Sequence, residues 1–291
     1  MFDKLVSVII PTYNSSDSIK LTIQSVLDQT YENIEIIVVD DFSQDFKILK
    51  EKIMEFNSNR ITLYRQPDNL NGAAARNKGV AISKGELICF LDADDLWEKT
   101  KVEKQVLMHK DNSVVCCKTS AISNKALNKP ELVKSEYNHS VGAFNNLFGE
   151  LEHNLVLQTS SILISRKDFD RIGGYDEMLY RHQDYQFSYL LDKHGMDVIF
   201  INEILCKYIK DDRSPMQKGW SIERSDYFIR KYKDGFTNNE LKNFLVVQLL
   251  GPSIKSKKLI SWLKVCLNHK VKLSHVLFLS VRYIIKRGLC R

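Results

Sequence analysis

The chain has 291 residues, 44% of them hydrophobic, and a formal charge of +6 at pH 7; it can hold one large domain, or one and a half, around a sizeable core. Its six cysteines lack CxxC spacing, which suggests neither a zinc site nor a disulfide framework and leaves a reducing cytosol as the expected compartment. No stretch approaches the ~20 apolar residues of a spanning helix, and the apolar run at 5–10 is too short for a signal peptide.

Residues 5–10 read LVSVII, a β-branched run that Pro11 is expected to stop, because proline is poorly tolerated inside a central strand. A loop follows, in which Ser15 or Ser16 can cap a helix. Ile19, Ile23, Val26 and Leu27 stand at helical spacing, so that helix lays one face on a sheet. Residues 34–39 (IEIIVV) form the next strand, closed by Asp40 and Asp41, and complete a βαβ unit. A third short strand covers 61–64, and a helix of small residues covers 73–83. The run LICFL at 87–91 then ends in Asp92, Asp94 and Asp95. Cys116 and Cys117 belong to a later strand. Strands buried on both faces sit in sheets covered by helices, and ligands bind at their carboxyl ends. One edge therefore collects Pro11, Thr12 and Tyr13, then Asp40 and Asp41, then the acids at 92–95.

Three acids crowded at the end of a buried strand cost free energy unless a cation or hydrogen-bond donors compensate. A divalent metal carrying a phosphate-bearing ligand meets that need; a polar loop closing a strand is the plainer alternative. A dinucleotide enzyme of the G-x-G-x-x-G kind is rejected, because the turn after the first strand reads PTYNSS.

Four segments in order, VSVIIPTYN, EIIVVDDFSQD, NGAAARNKG and FLDADD, resemble the family 2 glycosyltransferases with the GT-A fold. Downstream, TSSILISRKDFDRIGGYDE followed by HQDYQFSYLL resembles the acceptor-side block of that family, where a Gly-Gly-aromatic-Asp turn precedes a Glu-Asp pair. The resemblance covers roughly residues 5–205. It implies an α/β fold, a Rossmann-like mixed sheet flanked by helices. Residues 1–205 would be the catalytic domain, with 1–100 as its nucleotide-sugar half and 101–205 as its acceptor half. Residues 206–291 would form a helical, basic C-terminal region.

The resemblance also implies roles. Asp40 would hydrogen-bond the donor's base, usually uracil, with Pro11, Thr12 and Tyr13 lining it and Tyr13 stacking. Arg76 would lie near the base and diphosphate, which its planar fork suits. Asp92 would meet the ribose hydroxyls or a metal-bound water, and Asp94 a bound Mn²⁺ or Mg²⁺. Asp184 aligns with the catalytic base, although the family's preceding Glu is Gln183 here. Asp95, Ser160, Ser161, Asp176 and His182 fall where acceptor contacts are expected. Plainer readings stand beside these. Asp95 can support its neighbours from behind or cap a helix ahead of Leu96 and Trp97, and Asp184 can cap one at 185–191. Arg76 can pair with Asp40 or Asp92, and Asp41 can simply orient the next loop. His182 can be structural. Gly173 and Gly174 are expected to turn Tyr175 and Asp176 toward the cleft.

Charge is uneven. After Glu240 there is no acidic residue, and residues 241–291 carry eleven positive charges among apolar side chains such as Trp262, Phe278 and Ile285. Basic amphipathic helices of this kind lie on anionic membranes; packing on the catalytic domain is the alternative, and a nucleic-acid role lacks a recognised module. The chain thus reads as an inverting, metal-dependent glycosyltransferase that uses a nucleotide-sugar, expected to be a UDP-sugar. Its expected acceptor is a lipid-linked glycan at the cytoplasmic membrane face, in bacterial capsule, O-antigen or lipooligosaccharide synthesis. The alternatives are transfer to a protein or soluble sugar, and a nucleotide-sugar-binding protein with little or no turnover.

Overall fold

The computed structural model describes residues 4–123, 130–131, 134–148, 154, 156–210 and 220–288. The chain forms two compact units, Met1–Tyr137 with Leu155–Asp211, and Asn138–Asn154 with Asp212–Arg291.

The first unit is built on strands β1 (Val6–Thr12), β2 (Ile34–Asp40), β3 (Ile61–Arg65), β4 (Leu87–Phe90), β5 (Leu96–Trp97), β6 (Ser113–Ser123), β7 (Pro130–Glu131), β8 (Leu163–Ser165) and β9 (Asp197–Lys210). They make one mixed sheet in the order β3-β2-β1-β4-β8-β6-β9-β5, with β7 paired to β6. The first four strands are parallel. β8 runs antiparallel to both β4 and β6, whereas β6 and β9 are parallel.

Side chains alternate between the faces of each strand. Val6, Val8 and Ile10 of β1 join Ile36 and Val38 of β2 and Cys89 of β4 in one core. Into that core helices α1 (Ile19–Leu27), α2 (Phe46–Met54) and α4 (Lys101–Met108) bury Ile19, Ile23, Leu49, Ile53, Val102 and Val106. Ile9 points to the other face, against helix α3 (Gly72–Ile82). A Cβ on Gly79 would stand 2.3 Å from Ile9 Cγ2 and 3.3 Å from Val39 Cγ2, so α3 lies this close only because its residues are small.

Two expectations are corrected. β1 does not stop before Pro11; it continues to Thr12, paired with β2. Pairing with β4 ends at Ile9 and Phe90. The Ile9 carbonyl faces β4 and the Thr12 carbonyl faces β2, so by alternation the Pro11 nitrogen faces the side that β4 has already left. The missing N–H breaks no ladder bond. Nor does the hydroxyl of Ser15 or Ser16 cap α1. Ser18 is the N-cap and makes no side-chain cap bond; the Ser15 carbonyl accepts from the N–H groups of Ser18 and Ile19.

Helices α6 (Arg166–Ile172) and α7 (Gln183–Lys193) complete the described helices of this unit. Between them Gly173 and Gly174 have φ of +86° and +66°, the turn expected from sequence. A side chain on Gly174 would meet Asn77 Oδ1 at 2.9 Å and the Phe169 ring at 3.1 Å.

The second unit is helical. It contains α5 (Ala143–Phe148), α8 (Ile222–Lys231), α9 (Asn238–Phe244), α10 (Gly251–Lys255), α11 (Leu259–Asn268) and α12 (Leu273–Gly288). Phe144, Phe148, Phe228, Phe236 and Phe244 form its aromatic core. Thr237 and Glu240 cap α9 reciprocally. A π-helical stretch, Leu245–Leu250, joins α9 to α10, and the Leu245 carbonyl accepts the Trp262 indole N–H at 2.9 Å. Among the described residues no helix is long and apolar enough to cross a membrane.

Candidate active site

The carboxyl ends of β1, β2 and β4 carry the residues singled out above. Asp40, the last residue of β2, is fully buried. Its Oδ2 accepts the Ser43 N–H at 3.1 Å and lies 3.4 Å from Arg65 Nε. Its Oδ1 is buried and has no hydrogen-bond partner among the described residues. A buried carboxylate oxygen left without a donor is costly unless a ligand supplies one. Arg65 is a residue the sequence did not single out. It ends β3 directly opposite Asp40 in the parallel register, and its guanidinium also stands over the rings of Phe42 and Phe46.

Around Asp40, Thr12 is buried and donates to the Val39 carbonyl, Pro11 is half-buried, and Tyr13 is half exposed. Asp41 organises the next loop. Its Oδ1 accepts from Gln66 Nε2 and the Leu70 N–H, both at 2.7 Å, and its Oδ2 from the Asn71 N–H at 2.9 Å. Burial pushes its carboxyl above the usual range. Asn71, at φ +90°, caps α3 by accepting from the N–H groups of Ala73 and Ala74.

Arg76, on α3, is buried and forks between two parts of the chain. One arm pairs with Asp92 Oδ1 and the other donates to Gln183 Oε1 at 2.6 Å. Its guanidinium also lies over the ring of Tyr175. Tyr175 is buried, so the Gly173-Gly174 turn delivers it to the core rather than to the cleft, while Asp176 is half-buried. Gln183 opens α7, and Asp184 follows in its first turn, where the helix dipole favours a negative charge. Asp184 is therefore not the N-cap. That position belongs to His182, held in the left-handed region at φ +67°. His182 is buried and stacks on Tyr185 at 5.2 Å, which fits a structural part better than an acceptor contact.

Asp184 keeps part of its surface exposed, yet the surrounding protein raises its pKa to about 6. Burial is the main cause; the Tyr185 N–H, 3.0 Å from Oδ1, and the charge of Arg181 oppose it. A carboxylate tuned this way accepts a proton well near neutral pH.

The acids at the end of β4 divide. Asp94 is exposed, and Asp92 is half-buried against Arg76. Asp95 turns inward and is fully buried. Its Oδ2 accepts from Ser160 Oγ at 2.6 Å and Gln158 Nε2 at 2.7 Å, and its Oδ1 from the Ile209 N–H at 3.1 Å. Burial, with Asp92 and Asp94 close by, holds its carboxyl well above the usual range. It does not cap a helix, because Leu96 and Trp97 form β5. Ser160 and Ser161 are also buried. Ser160 is spent on Asp95 and on the Asp92 N–H, and Ser161 donates to the Gln158 carbonyl. All three side chains are buried and cross-link neighbouring segments of the chain. Asp95→Ala is expected to lower stability by about 3 kcal/mol, since it leaves two buried donors, the Ser160 hydroxyl and the Ile209 N–H, without this acceptor. A urea unfolding midpoint equal to wild type would disprove this structural assignment.

No cluster of three or more His, Cys, Asp or Glu side chains that could hold a metal alone exists among the described residues. Asp92 and Asp94 do supply hard oxygen donors, and Mg²⁺ or Mn²⁺ sites of this type need only one or two carboxylates when substrate phosphates complete them. The exposed Asp94 thus fits a cation that arrives with a diphosphate.

In fold the chain is GT-A-like. It matches S. aureus TarS in complex with UDP-GlcNAc with a TM-score of 0.62 at 18% identity, covering 86% of this chain and 73% of that one. The chain belongs to glycosyl transferase family 2, whose model matches residues 7–173. It is 31% identical over 260 residues to the amylovoran biosynthesis glycosyltransferase AmsB of Erwinia amylovora, covering 86% of this chain and 84% of the relative. It is 41% identical over 114 residues to the UDP-Glc:alpha-D-GlcNAc-diphosphoundecaprenol beta-1,3-glucosyltransferase WfgD of Escherichia coli, covering 39% of this chain and 44% of that protein. It is thus a glycosyltransferase related to bacterial polysaccharide biosynthesis enzymes, and proteins of its fold typically use a divalent cation.

Proposed function

We propose that this protein transfers a sugar from a UDP-sugar to a lipid-linked glycan with inversion, at the cytoplasmic membrane face where such carriers present their head groups. The observation that carries the reading is the fork of Arg76. It ties the acid at the end of β4 to the residue beside Asp184, so a donor-side acid and the base candidate share one hydrogen-bonded frame. The names of the WfgD and TarS relatives support a UDP-sugar donor, and that of WfgD supports an undecaprenyl-type acceptor.

In this reading Asp40 Oδ1 accepts the imide N–H of uracil, and Arg65 holds the carboxylate in that direction. Tyr13 covers the base. Asp94, with Asp92 near it, would hold the divalent ion, which when bound would stabilise the charge that develops on the diphosphate. The acceptor hydroxyl attacks the anomeric carbon and gives its proton to Asp184. The new C–O bond forms as the bond to the diphosphate breaks, and the electron pair leaves with UDP. An α-linked donor then yields a β-linkage.

Isothermal titration with UDP is expected to show binding that tightens when Mn²⁺ is added. A screen of UDP-sugars should then find one that is hydrolysed only with metal present. Binding with no hydrolysis or transfer from any of them would leave a nucleotide-sugar-binding protein instead.

A further inference from the structure

We propose that α11 and α12 form a docking surface for an anionic lipid membrane. The observation is an apolar face turned to water within the most basic part of the chain. On α12, Val276, Ser280 and Tyr283 are buried. At 100° per residue the far side of the helix carries Leu277, Phe278, Val281, Ile284 and Ile285, and each is at least half exposed. On α11, Trp262, Val265 and Cys266 are buried, whereas Ile260 and Leu267 are exposed. Both helices are thus apolar on two sides, and a helix packed on one side has no use for the second. Large apolar side chains grouped on one exposed face mark interaction sites.

Charge decides the occupant. Lys255, Lys257, Lys264, Lys270, Lys272 and Arg282 are exposed in the same segment. No acid follows Glu240, while eleven basic residues do. A second copy of this chain would bring the same positive charge to the same face, and like charges oppose such a contact. A nucleic acid would match the charge but leave the apolar stripe in water. An anionic bilayer satisfies both features: phospholipid head groups pair with the lysines, and the acyl boundary takes the Leu, Phe and Ile side chains. α12 has 16 residues, so it would lie along the interface rather than cross it. The docking is independent of the sugar chemistry, since the surface contains none of the donor-side or acceptor-side residues.

The test is co-sedimentation of the full chain with phosphatidylglycerol-containing vesicles and with pure phosphatidylcholine vesicles. Wild type should bind the anionic vesicles and lose binding as salt shortens the Debye length from ~8 Å to ~3 Å. Lys264→Gln with Arg282→Gln should weaken binding by about fivefold for each positive charge removed. Phe278→Ser with Ile285→Ser should weaken it by about tenfold or more at low salt, where wild type binds. Both double variants replace exposed side chains, so the thermal midpoint should stay at the wild-type value and certify the fold. Metal-dependent donor hydrolysis should also be unchanged. Equal binding to neutral vesicles, or wild-type binding by the Phe278→Ser/Ile285→Ser protein, would overturn the proposal. So would a wild-type dimer that this double variant dissociates, or equally tight retention on duplex DNA.

Discussion

Asp184→Asn is expected to lower the transfer rate by about 10²–10⁴-fold, the usual worth of a general base, while UDP affinity stays near wild type. Asparagine keeps the shape and much of the hydrogen bonding at the start of α7 but cannot take the acceptor's proton. The wild-type pH profile should carry the same signature. Burial raises the carboxyl of Asp184 to about 6, so the base form dominates above that pH and is lost as pH falls through it. The kcat/KM of wild type should therefore drop on the acid side of about pH 6, and the residual activity of the Asn variant should lack that limb. A variant that transfers at more than about a tenth of the wild-type rate would remove Asp184 from the mechanism. The half-buried Asp176 would be the next candidate; Asp95 would not, because its carboxylate is already spent on Ser160, Gln158 and Ile209.

Asp94→Asn should abolish most turnover and, unlike Asp184→Asn, should also erase the strengthening of UDP binding by Mn²⁺. Removing that carboxylate removes the grip on the ion and the charge stabilisation it supplies. Treatment of wild type with EDTA should reproduce both losses, and added Mn²⁺ or Mg²⁺ should reverse them. Transfer by EDTA-treated enzyme at the metal-loaded rate would refute the assignment. Asp92 offers a useful contrast. It pairs with Arg76, so Asp92→Asn should loosen the Arg76 fork as well as the donor, and its effect should not be confined to metal-dependent binding.

The donor side was legible because its signals are local. Apolar runs ending in Asp40 and in the acids at 92–95 define strands and their ends without any knowledge of neighbours. Small residues at 73–83 likewise announce a helix, found at Gly72–Ile82; its close approach to the sheet, Gly79 against Ile9, is a tertiary fact. Pro11 sits inside β1 for a specific reason. Whether proline breaks a strand depends on which side its nitrogen faces and on whether a neighbour is still there, and β4 has already turned away. The inward turn of Asp95 has another cause. Alternation fixes side-chain direction only while a strand lasts, and β4 ends at Phe90, so the loop decides which acids face out. Arg65 left no signal by itself; only the pairing of β3 with β2 in one register sets it opposite Asp40.

The sequence by itself determined the first four strands, the order of the motifs, the family resemblance and the uneven charge, since all of these rest on composition and short-range periodicity. The tertiary structure decided which charged groups meet. Arg76 reaches Gln183 across 107 positions of sequence, and Asp95 reaches Ile209 across 114. Those pairings follow from sheet register and loop direction, which depend on how the whole core packs. The tertiary structure also sorted α11 and α12 into buried and exposed faces. Both faces of each helix are apolar, and hydrophobic spacing cannot say which of two apolar faces a core will take.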